Sequence, residues 1–156
     1  MSDLCNLNIE EFEKFNFNGL VCPCRILNVY DGDTCTAGIN WNNKYIQLRL
    51  RLKGINSPEI KPSKKLANRD EIIKQAYLAK SKMIEYCTDV IPNNCQSKAD
   101  CEEIMKKNTK ILYVKMYNFD AFNRVVSELY LDQDFKISIN KLMIDGGYAV
   151  KFTKYK

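Results

Sequence analysis

The first third of the chain is a succession of short apolar runs separated by turn residues. Apolar and β-branched residues dominate segments 21–30 and 35–39, and Asp31-Gly32-Asp33 lies between them. Two such runs around an Asp-Gly turn predict the two strands of a hairpin. From residue 45 to residue 52 the apolar side chains alternate with polar ones, which predicts a half-buried third strand.

The spacing of apolar residues changes in the middle of the chain. Between residues 69 and 86 the apolar side chains recur at an imperfect period of three to four, which predicts the best helix of the chain. Residues 88–108 are polar and include Pro92, so they predict a surface insertion with a short helix near residues 99–107. We expect no chemistry in this insertion.

The remaining apolar runs complete a barrel. Residues 111–116 and 125–131 predict two more strands, and residues 137–144 predict a helix that ends at Gly146. Three strands, a helix, two strands and a final helix form the element order of an OB fold of antiparallel strands. The expected fold class is therefore α+β, mainly β: a five-stranded OB-fold barrel with a helix between strands 3 and 4 and a C-terminal helix.

The length of the chain suits a single domain. A core in a chain of 156 residues can bury roughly 70% of the surface that the unfolded chain exposes. We expect residues 1–20 to form an N-terminal arm, with a short amphipathic helix over residues 10–17 that packs Phe12 and Phe15 on the body. Residues 21–156 then form the barrel domain, with its insertion at about 88–108.

Composition narrows the class of protein. The chain is 46% hydrophobic and 28% charged, close to the averages of soluble globular proteins. No apolar run approaches the roughly 18 residues that a membrane span needs, and acidic residues stand where a signal peptide would have basic ones. We expect a cytoplasmic protein, found in the host cell or the virion if its source is a virus.

The absence of histidine removes several reaction classes. Without it, the Ser/His and Cys/His nucleophilic arrangements are excluded, so catalysis must use carboxylates, arginines or a metal ion. The seven cysteines match no zinc template and are interpreted mainly as small buried hydrophobic residues. Disulfides among Cys87, Cys95 and Cys101 stay open for an oxidising compartment. The net charge of +5 permits an anionic partner without identifying one.

Charged residues at strand ends offer the chemistry of phosphodiester hydrolysis. That reaction needs a site for a divalent cation, a group that orients water, and positive charge for the developing phosphorane. Asp31 and Asp33 flank Gly32 at the hairpin turn, where a carboxylate can reach a hard cation such as calcium or magnesium. Taken alone, an Asp-Gly turn is more often purely structural.

Three further charged residues have the same ambiguity. Arg51 ends the third predicted strand, and Glu59 follows eight residues later, beyond Pro58. Arg124 stands at the start of the last predicted strand, after a polar loop. Each of them alone is typical of solvated surface charge. Together with the Asp-Gly-Asp turn, they supply every group that the reaction requires.

Three motifs in this order resemble the staphylococcal nuclease (thermonuclease-like) family. They are VCPCRILNVYDGDT, RLKGINSPEI and FDAFNRVVSELYL, and the resemblance extends roughly from Val21 to Val150. It implies a hydrolase, a calcium-dependent endonuclease with magnesium as an alternative cofactor. The implied partners are DNA and RNA substrates, single-stranded or frayed, cut by direct water attack to give 5′-hydroxyl and 3′-phosphate ends. No membrane is implied, and the enzyme is expected to be a monomer.

The same resemblance implies a metal site. Asp33 would be a direct calcium ligand, Asp31 would support the metal through water, and Thr34 would shape the site. Asn56 stands where members of the family often carry a second metal-ligating aspartate, and Ser57 would contribute its backbone carbonyl. Because Asn56 is neutral, we expect weaker metal binding or an altered metal preference.

The resemblance also implies catalytic and substrate-binding roles. Arg51 would hydrogen-bond the scissile phosphate, and Glu59 would position or activate the attacking water. Arg124 would stabilise charge in the transition state. Phe122 and Tyr155 would offer stacking surfaces to the substrate.

Two other interpretations compete with the nuclease. One is a catalytically weak or inactive OB-fold domain that binds nucleic acid, in which Asn56 has abolished useful metal binding. The other treats every motif as a structural turn or surface charge, and the ordered occurrence of three motifs makes it the weakest. Metal-dependent cleavage, as opposed to binding without cleavage, distinguishes the first two.

Overall fold

The computed structural model describes residues 3–93 and 97–153 of the chain. Within these residues the strands are β1 (Val21–Val29), β2 (Thr34–Trp41), β3 (Lys44–Leu52), β4 (Ile55–Asn56), β5 (Leu112–Phe119), β6 (Val125–Tyr130) and β7 (Val150–Lys151). The helices are α1 (Arg69–Thr88), α2 (Lys98–Lys107) and α3 (Ile139–Asp145), and short 3₁₀ turns span Asp3–Asn6 and Ile9–Glu11. None of the described helices is long and apolar enough to cross a membrane.

Five strands close into a barrel in the order β1-β2-β3-β6-β5. This confirms the expectation of a five-stranded barrel. All neighbouring strands pair antiparallel except β3 and β6, which are parallel. The expectation of antiparallel strands throughout is therefore wrong at this one pair. The chain leaves β3, passes through α1, α2 and β5, and returns beside β3 in the same direction, a long crossover of the kind that parallel pairing demands.

The core fills the barrel and the seam beneath α1. Leu50, Leu52, Leu112, Val114 and Leu129 are fully buried. The helix contributes a stripe of buried residues at spacings of three and four, which is the pattern of an amphipathic helix. These residues are Ala76, Ala79, Met83 and Cys87.

The insertion after α1 packs on the barrel through α2. Cys101 and Met105 of this helix are buried. The backbone N–H of Val29 lies 3.3 Å from the Cys101 sulfur, and the Arg25 guanidinium donates to the Met105 carbonyl at 3.0 Å. These contacts place the exposed start of α2 beside β1.

The N-terminal arm is attached by Phe17. The expected helix over residues 10–17 is wrong, because the 3₁₀ turn ends at Glu11 and the residues after it are extended. Phe12 is more than half exposed; Phe15 is also more than half exposed, but its ring lies 5.7 Å from Trp41, as its expected packing on the body required, and Phe17 is buried. The Phe17 ring lies 5.7 Å from Trp41 and 5.9 Å from Phe119, so one aromatic cluster holds the arm.

A buried asparagine links α3 to the strands that lead into the main cleft. The Asn140 side chain accepts a hydrogen bond from the Leu129 backbone at 3.1 Å. Its amide donates to the carbonyls of Lys53 at 2.9 Å and Ser127 at 3.1 Å. The turn between β3 and β4 is thereby fixed to the helix.

The cysteines that the structure describes are free thiols, and four of them are buried: Cys24, Cys35, Cys87 and Cys101. Burial raises the pKa of the Cys24, Cys35 and Cys87 thiols, which keeps them protonated at neutral pH. These four therefore behave as the small hydrophobic residues that the sequence indicated. Cys95, one of the residues considered for a disulfide, lies outside the described residues.

Candidate active site

A cleft of about 440 Å³ opens at one end of the barrel. Its lining includes the predicted site residues Asp31, Asp33, Arg51, Asn56, Ser57, Glu59 and Arg124. Four separate segments of the chain supply them: the β1–β2 turn, the end of β3, the segment after it, and the start of β6. The fold therefore brings these residues together.

Asp33 is the centre of the polar network in the cleft. One carboxylate oxygen accepts the Thr34 hydroxyl at 2.8 Å, and the other accepts the Ser57 backbone N–H at 2.8 Å and the Ser57 hydroxyl at 3.1 Å. The Arg51 guanidinium lies 3.5 Å from that second oxygen. Because Asp33 is only 5% exposed, these donors and the positive charge compensate for the water that it loses.

The turn that presents Asp33 depends on close packing at Gly32. A Cβ atom at Gly32 would lie 2.8 Å from the Cβ atoms of both Ala79 and Ser57, far inside normal carbon–carbon contact. The Asp31 side chain closes the turn by accepting the Asp33 N–H at 3.0 Å. Glycine is required here because α1 and the Ser57 segment press on the turn from two sides.

The second aspartate of the turn has an unusual acidity. Burial, followed by repulsion from the Asp33 carboxylate, raises the pKa of Asp31 to about 7. Two desolvated carboxylates this close resist simultaneous ionisation. Asp31 therefore favours either a proton or a nearby cation.

Arg51 is held in place by contacts on several sides. Its guanidinium donates to the Leu52 carbonyl at 2.9 Å and to the Asn56 side-chain oxygen at 3.3 Å, and it lies 5.7 Å from the centre of the Phe152 ring. The Phe152 backbone N–H donates to the Gly54 carbonyl at 2.9 Å, next to the β4–β7 pair. Arg51 is therefore buried and fixed in position while its guanidinium lines the cleft.

Arg124 is oriented by a single acid. Its Nε donates to Asp120 at 2.7 Å, and the backbone N–H groups of Arg124 and Phe122 both donate to the other Asp120 oxygen at 2.9 Å. Desolvation raises the pKa of Asp120, but these hydrogen bonds outweigh it, so the pKa is lowered overall. The Phe122 ring, 69% exposed, lies 5.2 Å from the Arg124 guanidinium and does not line the cleft.

Glu59 differs from the other acids of the cleft. It is exposed and follows Pro58 at the mouth. Within the described residues it has neither a hydrogen-bond nor an ion-pair partner. A carboxylate in this state can accept a proton from a water molecule in the cleft.

The oxygen donors of the cleft suit a hard cation but carry little charge. Among residues 3–93 and 97–153, no three His, Cys, Asp or Glu side chains cluster in a way that could hold a metal. Asp31 and Asp33 would have to be supplemented by neutral oxygens of Asn56, Ser57 or Thr34. An all-oxygen set of this kind fits calcium or magnesium in type, with fewer carboxylates than usual.

Several lining residues were missed by sequence reasoning. Phe152, Lys61, Tyr30 and Ile60 also line the cleft. Lys61 lies two residues beyond Glu59, a spacing that could have indicated it, but nothing local marks Phe152 as a neighbour of Arg51. Tyr155, which was expected to stack on substrate, lies outside the described residues.

No protein-family model and no curated protein matches the chain significantly.

Proposed function

We propose that the protein is a metal-dependent phosphodiesterase of the staphylococcal nuclease type that cleaves single-stranded or frayed DNA and RNA. One observation carries the proposal: two acids of the turn, two arginines and a free glutamate line the same cleft. This combination supplies a cation site, an anion-binding pair and a base. The enzyme needs no nucleophilic side chain.

The barrel topology supports the same assignment. The strand order β1-β2-β3-β6-β5, with its parallel β3–β6 closure, is consistent with an OB-like barrel. Barrels of this type bind oligonucleotides with one sheet face and the adjoining loops. Fold alone does not establish activity, so the cleft carries the argument.

The two arginines would bind the scissile phosphate. Arg51 and Arg124 both line the cleft and are held by neighbouring groups before substrate arrives. Donors that are already oriented need no reorganisation as negative charge grows on the phosphate oxygens. Their planar forks also match the spacing of two such oxygens.

Glu59 would act as the base for in-line attack. The carboxylate accepts a proton from water while the water oxygen bonds to phosphorus and the bond to the 5′ oxygen breaks. The leaving 5′ oxygen takes a proton from solvent, which gives a 5′-hydroxyl and a 3′-phosphate. An exposed carboxylate without an ion-pair partner is suited to this exchange.

Asp33 would hold the cation directly, with support from Asp31, Thr34, Asn56 and Ser57. When bound, calcium or magnesium would polarise a phosphate oxygen and make bound water more acidic. The protein itself keeps the two carboxylates adjacent, with Asp33 buried and Asp31 half-buried. The Asn56 oxygen already accepts a hydrogen bond from Arg51, so it is a weaker ligand than the aspartate of the family pattern would be.

The direct test is cleavage of denatured DNA by the purified protein with calcium, magnesium or a chelator. Replacing Glu59 by glutamine keeps its size and removes the base, so we expect activity to fall by about 10²- to 10⁴-fold. Glu13→Gln, at an exposed position of the arm, is the matched control. Equal rates for Glu59→Gln and the parent protein would show that the mechanism is wrong.

A nucleic-acid-binding domain without catalysis is the second candidate. It is favoured by the engagement of Asn56 with Arg51 and by the lack, among the described residues, of three acids close enough together to hold a metal. The same assay separates the two candidates. Tight binding of the oligonucleotide, without cleavage under any metal condition, would identify the binding domain.

A further inference from the structure

A second cleft adjoins the first one along the outer face of the barrel. It has a volume of about 490 Å³ and is lined by β1, β2, β3 and α1, together with the exposed start of α2. Tyr30, Ile60, Lys61 and Arg124 line both clefts, so the two are continuous. A ligand that occupies the first cleft can extend into the second.

The second cleft is cationic. Arg49, Lys61, Lys80, Lys98 and Arg124 line it, and no acidic residue stands among the described residues of its lining. These five side chains come from different elements of the fold, so their convergence is not a local accident of sequence. A concave surface with one sign of charge concentrates counter-ions of the opposite sign.

Lys80 distinguishes this cleft from ordinary surface charge. The residue is only 4% exposed, and it has no hydrogen bond or ion pair with any described residue. Lys82, on the same helix, shows the usual arrangement, because its ammonium pairs with Glu85 at 3.1 Å. Lysine is rarely buried unless it is paired, since the desolvated charge is unfavourable. The Lys80 ammonium is not among the buried unpaired atoms of the described residues, so the stem is covered while the charged end reaches the cleft, where an anionic ligand can pair with it.

The other basic residues fit the same anion. The Arg49 guanidinium is anchored at 2.6 Å to the Phe122 carbonyl, which connects it to the loop that carries Arg124. Lys98 has only a 3.7 Å ion pair with Glu102 and is 79% exposed, so it can turn towards an anion. Tyr30, 54% exposed at the junction of the clefts, offers a ring on which a base can stack.

We propose that the second cleft binds the backbone phosphate next to the scissile one, with Lys80 as the cation at its base and Arg49, Lys61 and Lys98 around it. This inference rests on the proposed function, because a phosphate here must belong to the same strand as the phosphate in the first cleft. It makes the enzyme selective for oligonucleotides over substrates with a single phosphodiester. It also assigns a role to the insertion, through Lys98.

The test compares two substrates in the protein with Lys80→Met. Single-stranded oligodeoxynucleotide has neighbouring phosphates, whereas bis(4-nitrophenyl) phosphate has only one. We expect KM for the oligonucleotide to rise about tenfold, as for the loss of one charged hydrogen bond. Hydrolysis of bis(4-nitrophenyl) phosphate should stay within about twofold of the parent protein. Lys74→Met, an exposed position on the same helix, should change neither value.

Salt dependence provides a second readout. Each phosphate contact to a single strand contributes about 0.7 to the slope of log affinity against log salt concentration. We measure binding of labelled oligonucleotide by fluorescence anisotropy in the presence of a chelator. The slope for Lys80→Met should be smaller than that of the parent protein by about 0.7, the contribution of one phosphate contact. If Lys80→Met does not fold, Lys98→Met at its exposed position should raise the dissociation constant about two- to threefold and flatten the slope.

The outcomes separate this inference from the proposed function. If the parent protein cleaves DNA but neither lysine variant changes affinity or salt slope, the subsite is refuted and the nuclease stands. If the parent protein binds without cleavage and the lysine variants lose affinity, the nuclease is refuted and the anion subsite stands. Equal losses by Lys80→Met on both substrates would overturn the subsite and indicate general damage to the active site.

Discussion

The two walls of the main cleft are built in different ways. On one wall, Asp33 is held by Ser57, 24 residues away, and Arg51 packs against Phe152, about a hundred residues away. On the other wall, Arg124 is held by Asp120 within one short loop. The first wall exists only when the whole barrel is closed, whereas the second is largely a local structure. Substitutions in the first wall should therefore lower stability and activity together. Substitutions in the second wall should lower mainly activity.

The largest effect is expected from Asp33→Ala. This change removes the carboxylate that neutralises the buried Arg51 guanidinium and leaves the buried Ser57 N–H without its acceptor. Removing one member of a buried pair destabilises a protein by about 3–5 kcal/mol, and loss of the proposed direct metal ligand should abolish metal-dependent cleavage. Urea unfolding and the DNA assay measure the two effects. A loss of stability below about 1 kcal/mol would show that the two walls do not differ in this respect.

The wall that carries Asp33 and Arg51, here called the long-range wall, should also make stability depend on pH. The pKa of Asp31 is raised to about 7 in the folded protein, whereas the pKa of an aspartate in the unfolded chain stays near the ordinary value of 3.8. Between these values the folded state binds more protons than the unfolded state, so stability falls as pH rises and levels off above about pH 7. We expect this in unfolding experiments without divalent cations. The Asp31→Asn protein should lose that part of the pH dependence, and an unchanged profile would contradict the assignment.

On the wall that carries Arg124 and Asp120, here called the local wall, Asp120→Ala should lower activity more than stability. Arg124 loses its orienting carboxylate but is about one-fifth exposed, so water can still solvate its guanidinium. We expect DNA cleavage to fall by about 10²-fold, as for loss of an oriented donor to the transition state. Stability should fall by only about 1–2 kcal/mol. A loss of stability as large as that of Asp33→Ala would show that the loop is as dependent on the fold as the opposite wall.

The smallest effect is expected from Asn56→Asp, which strengthens the long-range wall. It adds a carboxylate beside Arg51 and the turn acids. The added charge should tighten calcium binding by about tenfold and raise cleavage at low calcium concentration. Calcium titration by calorimetry measures the change. Asn18→Asp, at an exposed position of the arm, is the matched control and should have no effect.

The spacing of hydrophobic residues along the chain correctly predicted the main strands and the long helix. Alternation over residues 45–52 predicted β3, and the period of three to four predicted α1, because each pattern reflects one buried face. The same pattern was insufficient at Arg51, where Leu50, Arg51 and Leu52 are all buried. The polar face of β3 is covered there by the Phe152 segment, which alternation along one strand cannot indicate.

The order of the motifs suggested which residues belong to the candidate site. The residues that surround them in space could be identified only from the fold. The Asp-Gly-Asp turn was visible in the sequence, whereas the steric need for Gly32 comes from Ala79 and Ser57. The insertion, which was expected to carry no chemistry, contributes Lys98 to the lining of the second cleft. Its charge pattern looks like a solvated face, and only the packing of α2 on β1 brings Lys98 to the second cleft.

By itself, the sequence determined the five barrel strands, the long helix α1 and the identity of the charged residues, because these depend on neighbouring residues and on side-chain chemistry. The tertiary structure alone decided that Asp33, Arg51, Glu59 and Arg124 share one cleft, that β3 and β6 run parallel, and that the covered side chain of Lys80 ends in the second cleft. Each of these depends on contacts between residues distant along the chain. Such contacts form only when the barrel closes, and no local period encodes them.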